Sequence, residues 1–342
     1  MPWGGGRLFS MRRTGRIKFT HTYEYIISCE NLLEAWREFV RGKRSRRDVQ
    51  EFQLNLMGNI LALHRELMTK TYQHSPYHAF RISDPKPRQI HKATVRDRLL
   101  HHAVYRALYP YFDRMFMGDS FSCRDNKGTN KALDRFRLFA YQVSRNHTRT
   151  AWVLQCDIRK FFSSIDQLIL MNILRRYIVD ANVLWVLSKI VGSFHSATLG
   201  TGLPLGNLTS QLLVNVYMNE FDQYVKHMLK ARHYIRYADD FVVLSADKKW
   251  LEDLLPIIHN FLLYRLYLDL HPRKVSIVTI ASGVDYLGWV HFSDHRVLRT
   301  STKRRMFRRI NASRENVQVL QSYMGLLSHG NTQKLRCISF RL

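Results

Sequence analysis

Acidic residues are scarce in this chain. Against 53 Lys+Arg stand 27 Asp+Glu, a formal net charge of +26 over 342 residues. So large an excess repels itself in a compact protein. It is most simply balanced by a polyanionic partner, nucleic acid ahead of an anionic membrane surface. Cysteine is scarce as well. Cys29, Cys123, Cys156 and Cys337 are scattered with no CxxC pair. That spacing does not read as a disulfide framework or a cysteine zinc site, and the default compartment is reducing and cytoplasmic. No apolar run reaches the roughly 18 residues that span a bilayer, and the N-terminus lacks the apolar core of a secretory signal. Long single-sign charge blocks are missing too. With 46% hydrophobic residues, the chain reads as globular, with length enough for two or three subdomains.

What is present is organised around Tyr237-Ala238-Asp239-Asp240. Tyr234, Ile235 and Tyr237 favour a strand before the two carboxylates, and Phe241, Val242, Val243 and Leu244 favour one after them. Taken alone, this is a hairpin with a solvated acidic tip. Yet both strands are too apolar for a surface hairpin. A second buried strand, Trp152-Val153-Leu154, leads into Asp157 far upstream. Two strands that deliver carboxylates to one sheet edge suit Mg²⁺, which takes oxygen ligands. A pair of such ions about 3.5–4 Å apart serves in-line phosphoryl displacement.

The ends and the helices read from pattern. Residues 1–20 are Gly-rich and basic and read as a loose arm; Met11 is an alternative start. Apolar residues recur at helical spacing over 30–40 and 49–69, and Arg41–Arg47 between them is a solvated loop or a phosphate contact. Tyr77–Ile90, with its Pro-Lys-Pro turn, predicts a hairpin. His91–Arg98 leads into a helix ending near Tyr109-Pro110. Residues 170–190 and 250–268 are helical, and Asp166 reads as a helix cap. A Gly-Pro-Gly loop, Thr201–Gly206, runs into a helix with Asn207, Thr209 or Ser210 as possible caps. From Arg296 to Arg314 there are eight Arg/Lys and no acid.

These motifs resemble, in spacing and in order, those of reverse transcriptases over about residues 75–335. Tyr237–Asp240 resembles the YxDD signature, and Asp157-Ile-Arg-Lys-Phe-Phe162 resembles the first catalytic-aspartate motif in its bacterial form. The resemblance implies an α+β right-hand polymerase: an arm (1–20), fingers (21–150), a palm (151–292, with a helical insertion near 170–200) and a short helical thumb (293–342). It makes Asp157, Asp239 and Asp240 catalytic. Together with the Ile158 backbone carbonyl they hold two Mg²⁺ ions, for which Mn²⁺ can substitute. Around the nucleotide it places Arg124 and, with looser alignment, Arg96 on the triphosphate. Phe162 excludes the 2′-hydroxyl, Leu205, Gly206 and Gln211 lie beside the nascent base pair, and Lys274 serves as general acid. Along the primer and template it places Tyr237, the primer-grip residues Leu287, Gly288 and Trp289, and thumb residues Lys303, Arg304 and Arg305. Arg124 also reads as part of a basic loop, Lys274 as a surface lysine, and one of Phe161 and Phe162 as core.

Leu205-Gly-Asn-Leu-Thr-Ser-Gln211 departs from the usual PQG form and resembles the reverse transcriptases of diversity-generating retroelements. That narrower resemblance implies error-prone copying, at adenines, of a template-repeat RNA into cDNA. Its partners would be the RNA, the cDNA/RNA duplex, dNTPs and a small basic oligomeric accessory protein, with no membrane. No maturase or HNH endonuclease motif follows the thumb in this sequence. Retron-, group II intron- and phage-defence-type enzymes are the alternatives. So is a non-catalytic RNA-binding protein on a polymerase fold, which an intact carboxylate triad disfavours.

Overall fold

The computed structural model describes residues 19–83, 87–312 and 316–340, with backbone alone for 338–340. The arm expected over residues 1–20 therefore lies almost wholly outside the described residues, as does most of the Pro85-Lys86-Pro87 turn. Nine strands are described: β1 His78–Ile82, β2 Arg88–Lys92, β3 Trp152–Asp157, β4 Tyr234–Tyr237, β5 Asp240–Ser245, β6 Ser276–Thr279, β7 Val284–Tyr286, β8 Trp289–His291 and β9 Arg296–Leu298. They form a β1–β2 hairpin, a four-stranded sheet in the order β4-β5-β3-β6, and a three-stranded sheet β7-β8-β9. All of these pairings are antiparallel.

The central sheet is buried on both faces, which is why its strands read as unbroken apolar runs. Side chains alternate along a strand. Leu154, Cys156, Phe241 and Val243 enter one core, shared with helices Val95–Asp113, Leu208–Gln223 and Lys248–Leu266. Val153, Val242 and Leu244 enter a second, shared with helix Thr129–Val143, the β7–β9 sheet and helices Thr300–Ala312 and Val317–Leu327. Helix Thr129–Val143, which the sequence division sets among the fingers, thus lies against β4 and β5.

Toward the N-terminus, four helices over 23–68 pack around Val95–Asp113. Local chemistry sets their starts: Thr22, Ser28 and Thr94 each accept a hydrogen bond from a backbone N–H of the first turn. Asp166 caps Gln167–Arg175, with Ile169 N at 2.8 Å from its carboxylate, as expected. Two expectations change. The helix expected to end near Pro110 continues to Asp113, because Leu108, Tyr109 and Phe112 are buried and hold the last turn in the core. The single helix expected over 170–190 is two, Gln167–Arg175 and Ala181–Val191, the second restarted by Asp180.

Three histidines are folded into this framework uncharged. Burial pushes His101 down to about 3, with His74 beside it adding to the effect. It pushes His102 to about 4, helped by Lys43 and Arg98, and His291 to about 4, helped by Arg296. In the unfolded chain all three protonate near the ordinary value of 6.5. Below that pH the unfolded state binds more protons, so stability is fully present above pH 6.5 and falls toward pH 4. The thermal midpoint should therefore drop steadily between pH 6.5 and 4.5, with a shallower slope in His102→Leu. A midpoint flat across that window would contradict neutral burial of these rings.

Candidate active site

The site begins with strand register. β3 pairs with β5 so that Asp157 faces Asp240, and β4 pairs with β5 so that Tyr237 faces Asp240. Two residues, Ala238 and Asp239, make the turn between β4 and β5, and Ala238 takes a left-handed φ of 55°. Ile158 N donates to the Asp239 carbonyl at 3.2 Å, tying the turn to the end of β3. Three carboxylates thereby share one sheet edge.

Like charges opposite one another across strands repel. Burial raises Asp239 above the ordinary carboxylate range, and Asp157 adds to the shift. Burial, the Asp239 charge and a hydrogen bond with Asp157 push Asp240 up to about 7. Lys274 opposes both shifts, with its Nζ 2.7 Å from Asp157 Oδ2. The edge holds more negative charge than its burial tolerates without cations. An oxygen-only donor set of this kind fits a hard divalent ion such as Mg²⁺ or Mn²⁺. Among the described residues no three His, Cys, Asp or Glu groups already converge at metal-binding geometry. Lys274 holds one oxygen of the Asp157 carboxylate, Oδ2, which an ion at this edge would share or take over.

Arg236, fully buried on β4, holds the turn from beneath. Its Nε and Nη2 each donate at 2.7 Å to the two oxygens of Asp222, itself fully buried on helix Leu208–Gln223. Nη2 also reaches Ser120 Oγ at 3.0 Å, and Nη1 donates to the Ala238 carbonyl at 3.0 Å. Tyr234 Oη donates to Asp222 at 2.6 Å. Sequence reading passed over Arg236 and Asp222. The signal was a lone Arg inside an otherwise apolar strand, which needs a buried acid.

The residues expected around the nucleotide divide into two groups. Phe162 is half-buried in the short turn after Asp157, while Phe161 is core, so one of the pair is core. Phe162 O accepts from Leu203 N at 2.8 Å, which brings the aromatic turn to the Thr201–Gly206 loop. Leu205 O accepts from His91 N, and Asn207 Nδ2 donates to His91 O, both at 3.0 Å. Gly206 has φ 108°, and an added Cβ would meet Ile90 at 2.9 Å, so this position requires glycine. Gln211 sits half-buried in the first turn of helix Leu208–Gln223. The β1–β2 hairpin is thus bound to this loop.

Arg124 and Arg96 depart from the expectation. Arg124 donates to the Asp113 carboxylate at 2.6 Å and to the carbonyls of Met117, Ser120 and Asp113, and its side chain is 5% exposed. It braces a turn, with all three guanidinium nitrogens engaged inside the protein. Arg96 is similarly engaged by Glu66, Asp97 and Gln73 O. Besides Lys274, a cation whose field does reach Asp239 is Arg88, exposed at the start of β2. Its signal was the Pro-Lys-Pro-Arg turn itself.

Among the residues expected to meet primer and template, Tyr237 is half-buried and accepts from Thr129 Oγ1 at 3.0 Å. The two-residue turn Leu287-Gly288, with φ of 49° and 87°, joins β7 to β8. Trp289 departs from the expected contact role: it is 1% exposed and belongs to the second core. Lys303 and Arg304 are exposed on helix Thr300–Ala312, with Arg305 half-buried beside them.

A four-stranded antiparallel palm carrying a carboxylate hairpin, flanked by fingers and basic helices, defines a right-hand polymerase. Residues 82–291 match the family model described as reverse transcriptase (RNA-dependent DNA polymerase), and the chain belongs to that family. It is similar to protein YkfC of Escherichia coli K12, at 27% identity over 73% of this chain and 74% of that one. It is also similar to the group II intron-encoded protein LtrA of Lactococcus lactis, at 22% identity over 70% of this chain and 50% of that one. It spans 20% of a yeast relative, the putative COX1/OXI3 intron 1 protein, and so covers less than two thirds of some of its relatives. Telomerase from Candida albicans shares the fold, with a TM-score of 0.50 at 10% identity over 68% of this chain and 48% of that one.

The Arg236 clamp is testable. Arg236→Met leaves a buried carboxylate uncompensated, a loss of about 3–5 kcal/mol in unfolding free energy. Arg236→Met with Asp222→Leu should regain most of that stability, yet leave the Ala238 carbonyl unheld and DNA synthesis at least about tenfold down. Full activity in the double variant would show that the pair does not position the turn.

Proposed function

We propose that this chain synthesises DNA on an RNA template, with Asp157, Asp239 and Asp240 as its catalytic carboxylates. The observation that carries this reading is the β3–β5 register, which sets Asp157 opposite Asp240 beside a strained, clamped turn. Two Mg²⁺ or Mn²⁺ ions held by these carboxylates and the Ile158 carbonyl would activate the primer 3′-hydroxyl and neutralise the leaving pyrophosphate. Lys274, released from Asp157, then stands where it can give a proton to pyrophosphate. Arg88 replaces Arg124 as the fingers cation for the triphosphate. Phe162 packs under the sugar and leaves no room for a 2′-hydroxyl. Leu205, Gly206 and Gln211 form the floor of the nascent base pair. The Leu287-Gly288 turn holds the primer end next to Tyr237, and Lys303, Arg304 and Arg305 contact duplex phosphates without sequence preference.

Within the family we place the chain among diversity-generating enzymes that copy a template-repeat RNA with errors at adenine, alongside a small basic oligomeric accessory protein. Leu205 supports this. An apolar side chain stands where a polar Gln would hydrogen-bond to template or dNTP, and Leu205 itself is tied to β2 through its backbone carbonyl. The similarity to LtrA favours a second reading, an intron-type reverse transcriptase.

Primer extension on RNA with dNTPs and Mg²⁺, followed by cDNA sequencing, separates these. The diversity-generating reading expects errors concentrated opposite template adenines and reduced in Leu205→Gln. Accurate cDNA would favour the intron-type enzyme, and equal fidelity in both proteins would remove Leu205 as the cause. Phe162→Ala should raise ribonucleotide incorporation by at least about tenfold. An unchanged ribose preference would exclude Phe162 from sugar selection.

A further inference from the structure

Away from the carboxylates, a cavity of about 440 Å³ lies between β8, β9, helix Thr129–Val143 and the loop after helix Val317–Leu327. That is within the usual size for a small-ligand site. Two of its lining residues carry buried polar atoms that have no hydrogen-bond partner: Nε2 of His291 and Nη1 of Arg296. His291 is 3% exposed, and the Arg296 side chain is 13% exposed. Such atoms are costly to leave unsatisfied.

Their chemistry is complementary. His291 bonds the Tyr286 backbone through its other ring nitrogen, and burial keeps the ring neutral. A neutral ring that donates at Nδ1 offers Nε2 as an acceptor. Arg296 offers a donor at Nη1, while its Nε holds the His329 carbonyl and its Nη2 approaches Asp134 at 3.4 Å. The two unpartnered atoms are matched by a group that accepts at one atom and donates at another, as every nucleobase edge does. Its wall carries a flat surface, where Phe292 and His295 stack at 4.9 Å and 16°, and the fully buried Phe136 supports His291 from behind at 4.6 Å. Arg137, exposed at the same cavity, supplies a cation for a phosphate.

We propose that this cavity binds one unstacked nucleotide of single-stranded RNA, outside the catalytic cleft. The base would stack on the Phe292–His295 pair and bond Arg296 and His291, the mode by which proteins take splayed-out RNA bases. Because the walls come from both the β8–β9 strands and the C-terminal helical segment, occupation would also fix that segment against the palm. The inference rests on the RNA-dependent reading above for the identity of the polyanion.

The test uses the full chain and a single-stranded RNA oligonucleotide carrying 4-thiouridine. Ultraviolet cross-links mapped by mass spectrometry should fall on Phe292 or His295. Asn331→Trp, which fills the cavity from an exposed position, and His291→Leu should each weaken binding of the oligonucleotide at least about fivefold. Primer extension on a saturating template–primer should be unchanged in Asn331→Trp. Free nucleoside monophosphates that compete as well as the oligonucleotide would keep the site and make its ligand a free nucleotide. Unchanged RNA affinity in a folded Asn331→Trp, or cross-links confined to other residues, would overturn the proposal. Cavity cross-links in a wild-type protein that makes no cDNA would retain the site and instead refute the polymerase reading.

Discussion

The buried pair between Arg236 and Asp222 is the interaction on which the site depends. Both residues are fully buried, and the pair is bidentate. A buried ion pair is seldom retained for stability, since a well-packed apolar substitute often does as well. This one does something an apolar pair cannot. The same guanidinium holds the Ala238 carbonyl in a turn whose left-handed φ an alanine adopts only under constraint. It also bonds Ser120, whose loop is tied to β4 through Phe121 N and the Arg236 carbonyl at 3.0 Å. One side chain thus fixes the acidic turn relative to helix Leu208–Gln223 and to the loop behind it.

From that constraint the electrostatics follow. A turn held rigidly against β3 keeps Asp157, Asp239 and Asp240 together although their charges repel, and the raised proton affinities of Asp239 and Asp240 record the cost. The excess of negative charge at this edge stands inside a protein of net charge +26. Basic residues elsewhere suit a polyanion, while the acidic edge suits the divalent ions proposed for nucleotidyl transfer. Lys274 on Asp157 acts as a local counter-ion between the two regimes. A double-sided sheet makes this arrangement stiff, because each strand of the edge is locked by cores above and below.

Much of this was legible in the sequence. The apolar runs around Asp157 and Asp239-Asp240 predicted their strands because a two-sided buried strand tolerates few polar residues. The turn positions of Gly206 and Gly288 were legible because glycine marks the left-handed backbone found there. Partner choice was not legible. Arg124 matches a triphosphate-binding position in local sequence, but its target depends on Asp113, which a separate helix brings alongside. Trp289 looked like a surface contact until the loop after Leu327 folded over it; a Cβ at Gly330 would lie 2.1 Å from its ring. Arg236, the most consequential side chain, was hidden for the same reason. Its meaning lies in Asp222, distant along the chain and close only in the fold. Helix ends near Pro110 and over 170–190 were misjudged because tertiary burial overrode local signals.

The central claim is that a clamped carboxylate edge holds divalent ions for nucleotide addition. It is tested most directly by counting Mn²⁺ bound per chain by electron paramagnetic resonance, with a chain-terminated primer on RNA and the matched dNTP. The account predicts two ions in the wild type, none retained in Asp239→Asn and weakened binding in Arg236→Met. Two ions bound with unchanged affinity in Asp239→Asn would contradict it.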